Sequence, residues 1–309
     1  MGNRIKEFIK AVPICNKIAR DIKLNFISYS KYQLNKKEID KKIKQMKEVG
    51  VSQHAYEKIL ISLTSFPARI DDVKYTIHSL LNQTYKPDKI VLWLGEEKFP
   101  NKDADLPKDL LDMKKYGLSI EYCEDIRSYT KLLPSLNKYP EYLIITVDDD
   151  IYYPKDLVSK LYQTYIKNKD CIIANRAHGI VVKDETIEPY SNWNMETKNT
   201  EKSYRNFFTG VGGVLYAPNF LSKDVFRKDI FMDVCPFADD IWFNIMAILN
   251  GTKTKITSGT EPLLYIDYAA ELSGMNTLGA KNNGLYKNDI QLKEVLQLYP
   301  EVVQRIIHG

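Results

Sequence analysis

The 309-residue sequence is poor in cysteine and histidine, with four of each. The cysteines are far apart and form no CxxC pair, at Cys15, Cys123, Cys171 and Cys235. This spacing argues against a zinc site and a disulfide framework, so a reducing cytosol is the expected location. No stretch reaches about 18 apolar residues, and the N-terminus shows no clean apolar signal region. We therefore expect neither a membrane-spanning helix nor a secretory signal.

Two common signatures of phosphate and metal binding are also absent. A P-loop requires GxxxxGK[ST], which does not occur. An EF-hand beginning at Asp148 would need glycine and glutamate where Tyr153 and Ser159 stand. Any binding of a nucleotide or a metal must therefore use other residues.

Positive charge is concentrated at the start of the chain. Residues 1–50 contain 13 Lys and Arg against 5 Asp and Glu, whereas the remainder contains 31 against 35. Apolar residues recur there at helical spacing, which predicts a basic helical N-terminal extension. It either packs on the main domain or lies on an anionic membrane surface, such as the inner face of a cell membrane. Nucleic acid is not an expected partner, because no binding motif accompanies the charge.

From residue 58 onward, short apolar runs alternate with segments of helical spacing. Five runs predict strands at 59–63, 89–94, 118–123, 143–147 and 171–174. Helices are expected between them, including one at 130–139, and a strongly apolar helix at 239–249. This order predicts an α/β fold with a mostly parallel, doubly wound, Rossmann-like sheet. We assign the domain to 51–309, with a nucleotide-binding half at about 58–174 and an acceptor half at about 175–309.

Three consecutive carboxylates, Asp148, Asp149 and Asp150, directly follow the fourth predicted strand. Ligands of open α/β sheets bind at the carboxyl ends of strands, and a divalent cation relieves the repulsion between adjacent carboxylates. On an extended segment, side chains two residues apart share a face, so Asp148 and Asp150 are candidate ligands of Mg²⁺ or Mn²⁺. The alternative is a polar turn that caps the following helix.

A second acidic pair, Asp239 and Asp240, opens the predicted helix at 239–249. Carboxylates suit a helix start, where they accept from free N–H groups and complement the dipole. One acid is enough for that, so the other is a candidate general base, and the residues alone leave both interpretations open. Upstream, Gly212 and Gly213 belong to a glycine-rich segment that is either a plain turn or a close backbone approach to a ligand.

Two cations lie close in sequence to the predicted strands. Arg69 follows the first strand, and Lys131 lies upstream of the strand that precedes the acidic run. Either side chain could stabilise a diphosphate as it leaves and gains charge. The alternative for each is an ordinary surface cation.

Taken together, residues 58–268 resemble the GT-A glycosyltransferases, both the family-2 group and the exostosin-like group. The most specific likeness is the segment Ser79 to Leu92, with Asn-Gln-Thr-Tyr near its start, which looks like the family's early helix-to-strand phrase. The run from Asp148 to Asp150 matches the family's DxD position, and Ala238 to Ile241 looks like its later acidic pair. Two features depart from the pattern. Glu96 stands where family 2 commonly has aspartate, and no histidine stands at the position of a third metal ligand.

This resemblance implies a hexosyl- or N-acetylhexosaminyl-transferase. The basic N-terminal segment fits a role at the inner face of a bacterial membrane, so we expect the chain to act in bacterial surface polysaccharide synthesis. The donor would be a nucleoside diphosphate sugar, with a UDP-sugar as the first expectation, and the acceptor a hydroxyl group of a glycan or lipid-linked molecule. The implied metal is Mn²⁺ or Mg²⁺, held by Asp148 and Asp150. An inverting reaction is favoured, and a retaining one stays open.

The same resemblance assigns expected roles to the remaining candidates. The expected nucleotide and donor contacts are Thr64, Arg69, Glu96, Lys131, Asp148, Asp149, Gly212 and Gly213. Asp240, with Asp239 beside it, would deprotonate the acceptor.

Two other classes remain open. A sugar-phosphate nucleotidyltransferase has a similar sheet but usually carries a glycine-rich basic signature near its first strand, which residues 64–69 lack. A non-catalytic carbohydrate-binding protein would require neither acidic cluster.

Overall fold

The computed structural model describes residues 32–258, 262–267 and 287–309. Its strands are β1 (Ile59–Thr64), β2 (Lys89–Gly95), β3 (Leu118–Cys123), β4 (Leu143–Thr146), β5 (Ile151–Tyr152), β6 (Cys171–Ala174), β7 (Ala177–Gly179), β8 (Val182–Lys183), β9 (Thr186–Ile187), β10 (Asn206–Phe208), β11 (Val214–Tyr216), β12 (Lys253–Ile256) and β13 (Leu264–Tyr265). Its α-helices are α1 (Lys36–Lys44), α2 (Val73–Leu81), α3 (Lys108–Leu111), α4 (Leu133–Lys138), α5 (Leu157–Ile166), α6 (Lys228–Val234), α7 (Asp239–Leu249), α8 (Lys287–Leu298) and α9 (Pro300–His308).

Seven strands form the central sheet, in the order β12-β6-β11-β4-β1-β2-β3. β1 pairs in parallel with β2 and β4, β3 pairs in parallel with β2, and β12 pairs in parallel with β6. β11 is antiparallel to both of its neighbours, β4 and β6. Six strands therefore share one direction, which confirms the predicted α/β fold with a mostly parallel sheet. Because β11 and β12 come from the second half of the chain, the two predicted halves complete one sheet.

Side chains of the strands alternate between two apolar cores, one on each face of the sheet. In β1, Leu60 packs into the first core, while Ile59 and Ile61 pack into the second. Helices α4 and α6 to α9 cover the first core, and α2, α3 and α5 cover the second. Helices on both faces confirm the doubly wound arrangement. They also explain the continuous apolar runs of the sequence, since parallel strands are buried on both sides.

The helix predicted at 130–139 begins later than its spacing indicates. Residues Arg127–Lys131 form a 3₁₀ turn, and the α-helix α4 starts at Leu133. Pro134 is tolerated in the first turn of α4, where a missing N–H removes no helical hydrogen bond. The tight turn changes the direction in which Lys131 projects, which matters for the site below.

The basic stretch at residues 36–44 forms α1 and packs against the domain. Ile39 is buried with Tyr75 and Ile266, and Lys36 forms an ion pair with Asp72 at 2.7 Å. This part of the extension therefore agrees with the interpretation of a helix packed on the main domain. Residues 1–31 lie outside the described residues, so their predicted helix and membrane contact stay predictions. Within the described ranges, no helix has the length and apolar character needed to cross a bilayer.

Candidate active site

The acidic run lies at the carboxyl edge of the sheet. β1 and β4 are parallel neighbours, so the residues that follow both strands meet at this edge. β11 runs the other way, with Val214 paired to Thr146, so the beginning of β11 lies here as well. The glycine-rich segment before β11 is thereby brought beside Asp148, although its first glycine, Gly210, lies 62 positions further along the chain. The reversed strand is what joins these two parts of the chain.

The three consecutive carboxylates have different surroundings. Asp149 is buried, and its two oxygens accept from Ser65 Oγ at 2.6 Å and from Arg69 at 2.7 Å. Arg69 also pairs with Asp150 at 2.9 Å, since the chain turns at 149–150 and departs from the strict alternation of an extended strand. Asp148 and Asp150 are each more than a quarter exposed at the side chain. Asp149 thus anchors Arg69, while the outer two carboxylates face the open edge.

Tyr153 connects this strand end to the glycine-rich turn. Its buried hydroxyl accepts from the backbone N–H of Asp148 at 2.9 Å and donates to the carbonyl of Val211 at 3.0 Å. Both partners are backbone groups of partly buried residues, where an unpaired N–H or C=O is unfavourable. The phenol therefore sets the distance between the acidic run and the turn.

We expect Tyr153→Phe to lower the free energy of unfolding by about 1–3 kcal/mol, because two backbone groups lose their partner. Urea denaturation measures this change. Tyr162→Phe is the matched control: its hydroxyl donates to Glu57 at 3.0 Å near solvent, where water can replace it. Equal losses in the two variants would contradict a special role for the Tyr153 hydroxyl.

The start of α7 is held against β10 and the glycine-rich turn. Asn244 accepts from Phe208 N–H at 3.0 Å and donates to the carbonyl of Asp240 at 2.7 Å. The N–H of Gly210 donates to both carboxylate oxygens of Asp240, at 3.0 and 3.1 Å. These contacts orient the Asp240 carboxylate towards the same edge as Asp148.

Lys131 lies between the two acidic groups. Its ammonium is 2.7 Å from Asp148 Oδ1 and 2.9 Å from Asp239 Oδ2, and the lysine side chain is only 8% exposed. Burial lowers the pKa of Lys131, but Asp148, Asp239 and Asp240 outweigh this effect and hold the pKa well above its usual value. The ammonium therefore stays charged. A β-carbon on Gly210 would come within 2.8 Å of the ammonium nitrogen, so the absence of a side chain there makes room for it.

The carboxyl group of Asp240 has an unusual affinity for protons. Burial and the negative charge of Asp239 raise its pKa to about 7, against the opposing effect of Lys131. A carboxylate with a pKa near neutrality is well matched to accept a proton at physiological pH. Asp239, in contrast, is buried and lies against Lys131. Of the two predicted catalytic acids, the geometry places Asp240 as the candidate base and Asp239 as a partner of the lysine.

The predicted divalent cation fits this edge only in combination with a substrate. Among the described residues, no group of three His, Cys, Asp or Glu side chains is placed to hold a metal. Asp148 and Asp150 supply hard carboxylate oxygens at the open edge, and Mg²⁺ commonly uses one or two carboxylates together with substrate phosphates. The residues therefore suit a cation shared with a diphosphate rather than one enclosed by protein ligands.

The other predicted contacts are spread along the same edge. Thr64 ends β1 and donates to the carbonyl of Trp93 at 3.0 Å, and Glu96 follows β2, exposed and 3.4 Å from Lys102. Gly213 has φ +87° and packs towards Leu157. Gly212 faces Arg176 and borders a cavity of about 760 Å³ at the ends of β6 and β12. The nearest side chains to Gly212 and Gly213 are thus those of Arg176 and Leu157, whereas Gly210 contacts the acidic cluster.

Sequence reasoning missed three residues that build the site, namely Ser65, Tyr153 and Asn244. Gly210 belongs to the segment that the sequence does single out, yet nothing local distinguishes it from Gly212. Ser65 and Tyr153 act through hydroxyl groups whose partners are 84 and 58 residues away. No single-sequence pattern carries that information.

Comparisons with known proteins find similarity in structure alone. No family model and no curated protein matches the sequence. S. aureus TarS is 11% identical with a TM-score of 0.45, over 77% of this chain and 70% of that one. The mannosyltransferase PcManGT from Pyrobaculum calidifontis, in complex with GDP-Man and Mn²⁺, is 12% identical with a TM-score of 0.45, over 86% and 78%. TarS in complex with UDP-GlcNAc is 12% identical with a TM-score of 0.43, over 67% of this chain and 58% of that one. At such identities and scores, the likeness concerns the backbone and says nothing of the ligands of this chain.

Proposed function

We propose that this chain is a metal-dependent glycosyltransferase that moves a sugar from a nucleoside diphosphate sugar to a hydroxyl group of a glycan or lipid-linked acceptor. One observation carries the proposal. Asp148 and the pair Asp239–Asp240 come from distant parts of the chain and meet around the buried ammonium of Lys131. They meet at the carboxyl edge of a mostly parallel sheet, where ligands of such sheets bind.

The two acidic groups have separate tasks in this proposal. Asp148 and Asp150 would hold Mn²⁺ or Mg²⁺, and a bound cation would neutralise the charge that gathers on the departing diphosphate. Arg69 holds Asp150 in place through an ion pair at 2.9 Å. It also pairs with the buried carboxylate of Asp149 and compensates its charge. The nucleotide would lie over the ends of β1 and β2, near Thr64 and Glu96.

Asp240 would act as the general base. Its carboxylate accepts the proton of the acceptor hydroxyl, the hydroxyl oxygen bonds to the anomeric carbon, and the bond from that carbon to the diphosphate oxygen breaks with its electron pair on the diphosphate. The Gly210 N–H fixes the orientation of the carboxylate through both of its oxygens. Attack by an acceptor held on the side opposite the leaving group inverts the anomeric configuration.

The buried charges favour this function over a non-catalytic carbohydrate-binding protein. Enclosing several carboxylates is unfavourable unless each is paired, and Asp240 has a raised pKa in spite of Lys131. Strongly shifted groups of this kind concentrate at functional sites. A nucleotidyltransferase is supported less, because the loop 64–69 after β1 has no glycines to surround a triphosphate.

A binding and turnover panel tests the proposal on the unmodified full chain. UDP and GDP are titrated by calorimetry with Mn²⁺ and with EDTA, and UDP- and GDP-sugars are assayed for release of the diphosphate. We expect one diphosphate to bind more tightly with Mn²⁺ and the matching sugar nucleotide to be turned over. Absence of binding by either diphosphate under both conditions would refute the proposal.

A further inference from the structure

A single buried ammonium links two distant parts of the acidic edge. Lys131 is within 3 Å of carboxylate oxygens from the end of β4 and from the start of α7, at 2.7 Å from Asp148 and 2.9 Å from Asp239. Its side chain and that of Asp239 are each 8% exposed. Three carboxylates, including Asp240, act on this one cation. The lysine is therefore surrounded by protein charge.

The backbone of Lys131 is as firmly placed as its ammonium. Its carbonyl accepts from Ser62 Oγ at 2.5 Å, and Ser62 is 2.8 Å from Ser135 Oγ. The 3₁₀ turn Arg127–Lys131 then directs the side chain towards the sheet edge. On the far side, the missing side chain of Gly210 leaves just enough space for the nitrogen. Such a group is poorly placed to move out and grip a diphosphate, which is the role that the sequence predicts for it.

We infer that Lys131 is a positioning residue that holds the metal-binding strand end and the catalytic helix together, and does not contact the donor. The inference rests on the proposed transferase function. Without the ammonium, Asp148 and Asp239 would repel each other across the gap between β4 and α7. Asp240 follows Asp239 directly, so any displacement of the helix start also moves the base away from the donor. The lysine thus acts on the reaction through Asp148 and Asp239.

Two measurements on Lys131→Met separate this role from that of a diphosphate ligand. The Kd for UDP and for GDP in EDTA should stay within about threefold of the value for the unmodified chain. This is a change of less than about 1 kcal/mol, since a tenfold change in Kd corresponds to about 1.4 kcal/mol. The kcat for diphosphate release from the sugar nucleotide should fall by about 100-fold, since a displacement of a reacting group by about 1 Å has an effect of that size. The KM for the donor should change much less. Lys108→Met is the control, because Lys108 is exposed and its ion-pair partner, Asp112, is also on the surface.

Loss of diphosphate affinity in EDTA that matches the loss of kcat would make Lys131 a donor ligand and overturn the inference. An unchanged kcat would overturn it as well. Failure of the unmodified chain to bind either diphosphate would instead refute the proposed function, and the two failures are therefore distinguishable.

A second comparison tests the ion pairs of Lys131 with Asp148 and Asp239 and requires no substrate. Lys131→Met removes the ammonium that lies between Asp239 and Asp148 and acts on Asp240, so the Tm should fall. Adding Asp239→Asn removes one of the repelling charges, so the double variant should melt at a higher temperature than Lys131→Met alone. If the double variant melted at a lower temperature than Lys131→Met alone, Lys131 would not be compensating the charges of these carboxylates. This readout remains available if the single variant is only partly folded.

Discussion

Replacing Asp240 with asparagine is expected to reduce sugar transfer by about 10²–10⁴-fold, the usual contribution of a general base. Asparagine keeps the size of the side chain and an oxygen that accepts from Gly210 N–H, at 3.0 Å in the unmodified chain. It cannot take a proton. Release of the diphosphate from the sugar nucleotide, measured with acceptor present, gives the rate, and calorimetry should show unchanged binding of UDP or GDP.

The unmodified enzyme should lose activity as the pH falls below neutrality. Burial and the charge of Asp239 raise the pKa of Asp240 to about 7, with Asp148 acting in the same direction and Lys131 against it. Only the deprotonated carboxylate can act as a base. The rate should therefore rise with pH, reach half of its maximum near pH 7, and fall about tenfold per pH unit well below that. The residual rate of the Asp240→Asn variant should not show this change with pH near pH 7.

Stability provides the control for the same variant. A carboxyl group whose pKa is raised from 3.8 to about 7 in the folded state holds its proton more tightly there than in the unfolded chain. Its favourable contribution is present at low pH and is lost as the pH rises through about 7. At pH 8 the asparagine variant should consequently melt at the same temperature as the unmodified chain or higher. Asp233→Asn, at an exposed position on α6, should change neither rate nor Tm. A fully active Asp240→Asn variant would remove Asp240 from the mechanism.

Replacing Asp150 with asparagine should abolish the effect of Mn²⁺ on diphosphate binding. We expect the affinity for UDP or GDP with Mn²⁺ to fall by about tenfold or more, about 1.4 kcal/mol, because one of two carboxylate ligands is lost. In EDTA the affinity should be nearly the same as in the unmodified chain. Calorimetric titrations with and without Mn²⁺ measure both values.

The fold should survive this change. Arg69 loses its contact with Asp150 at 2.9 Å but keeps the buried Asp149 at 2.7 Å. Asp112→Asn is the matched control, since Asp112 is an exposed carboxylate that forms an ion pair with Lys108 far from the acidic run in the sequence. If Mn²⁺ strengthens diphosphate binding equally in Asp150→Asn and in the control, Asp150 is not a ligand of the cation.

Much of the sheet and the position of the acidic run could be predicted from local patterns. Five apolar runs predict β1, β2, β3, β4 and β6, and each is observed within about two residues of its predicted bounds. The acidic run is predicted at a strand end because Asp148 directly follows such a run. These features depend on residues that are close in the sequence, and hydrophobic periodicity predicts such local structure well.

The contacts of the cations could not be predicted in the same way. The sequence indicates Arg69 as a nucleotide contact, yet its guanidinium pairs with Asp149 and Asp150, 80 residues or more away. Lys131 is expected at a diphosphate and is instead enclosed by carboxylates. A cation near a strand looks the same in the sequence whether it meets a ligand or another side chain.

The sequence by itself determined a doubly wound α/β sheet and an acidic run at the end of one of its strands, because both follow from the hydrophobic periodicity of consecutive residues. Only the tertiary structure decided that Asp239 and Asp240 meet that run. β11 runs antiparallel between β4 and β6, which brings the turn containing Gly210 and the start of α7 to the same edge. Such long-range pairings depend on strand order and on the mutual compensation of buried charges, and no stretch of neighbouring residues contains either.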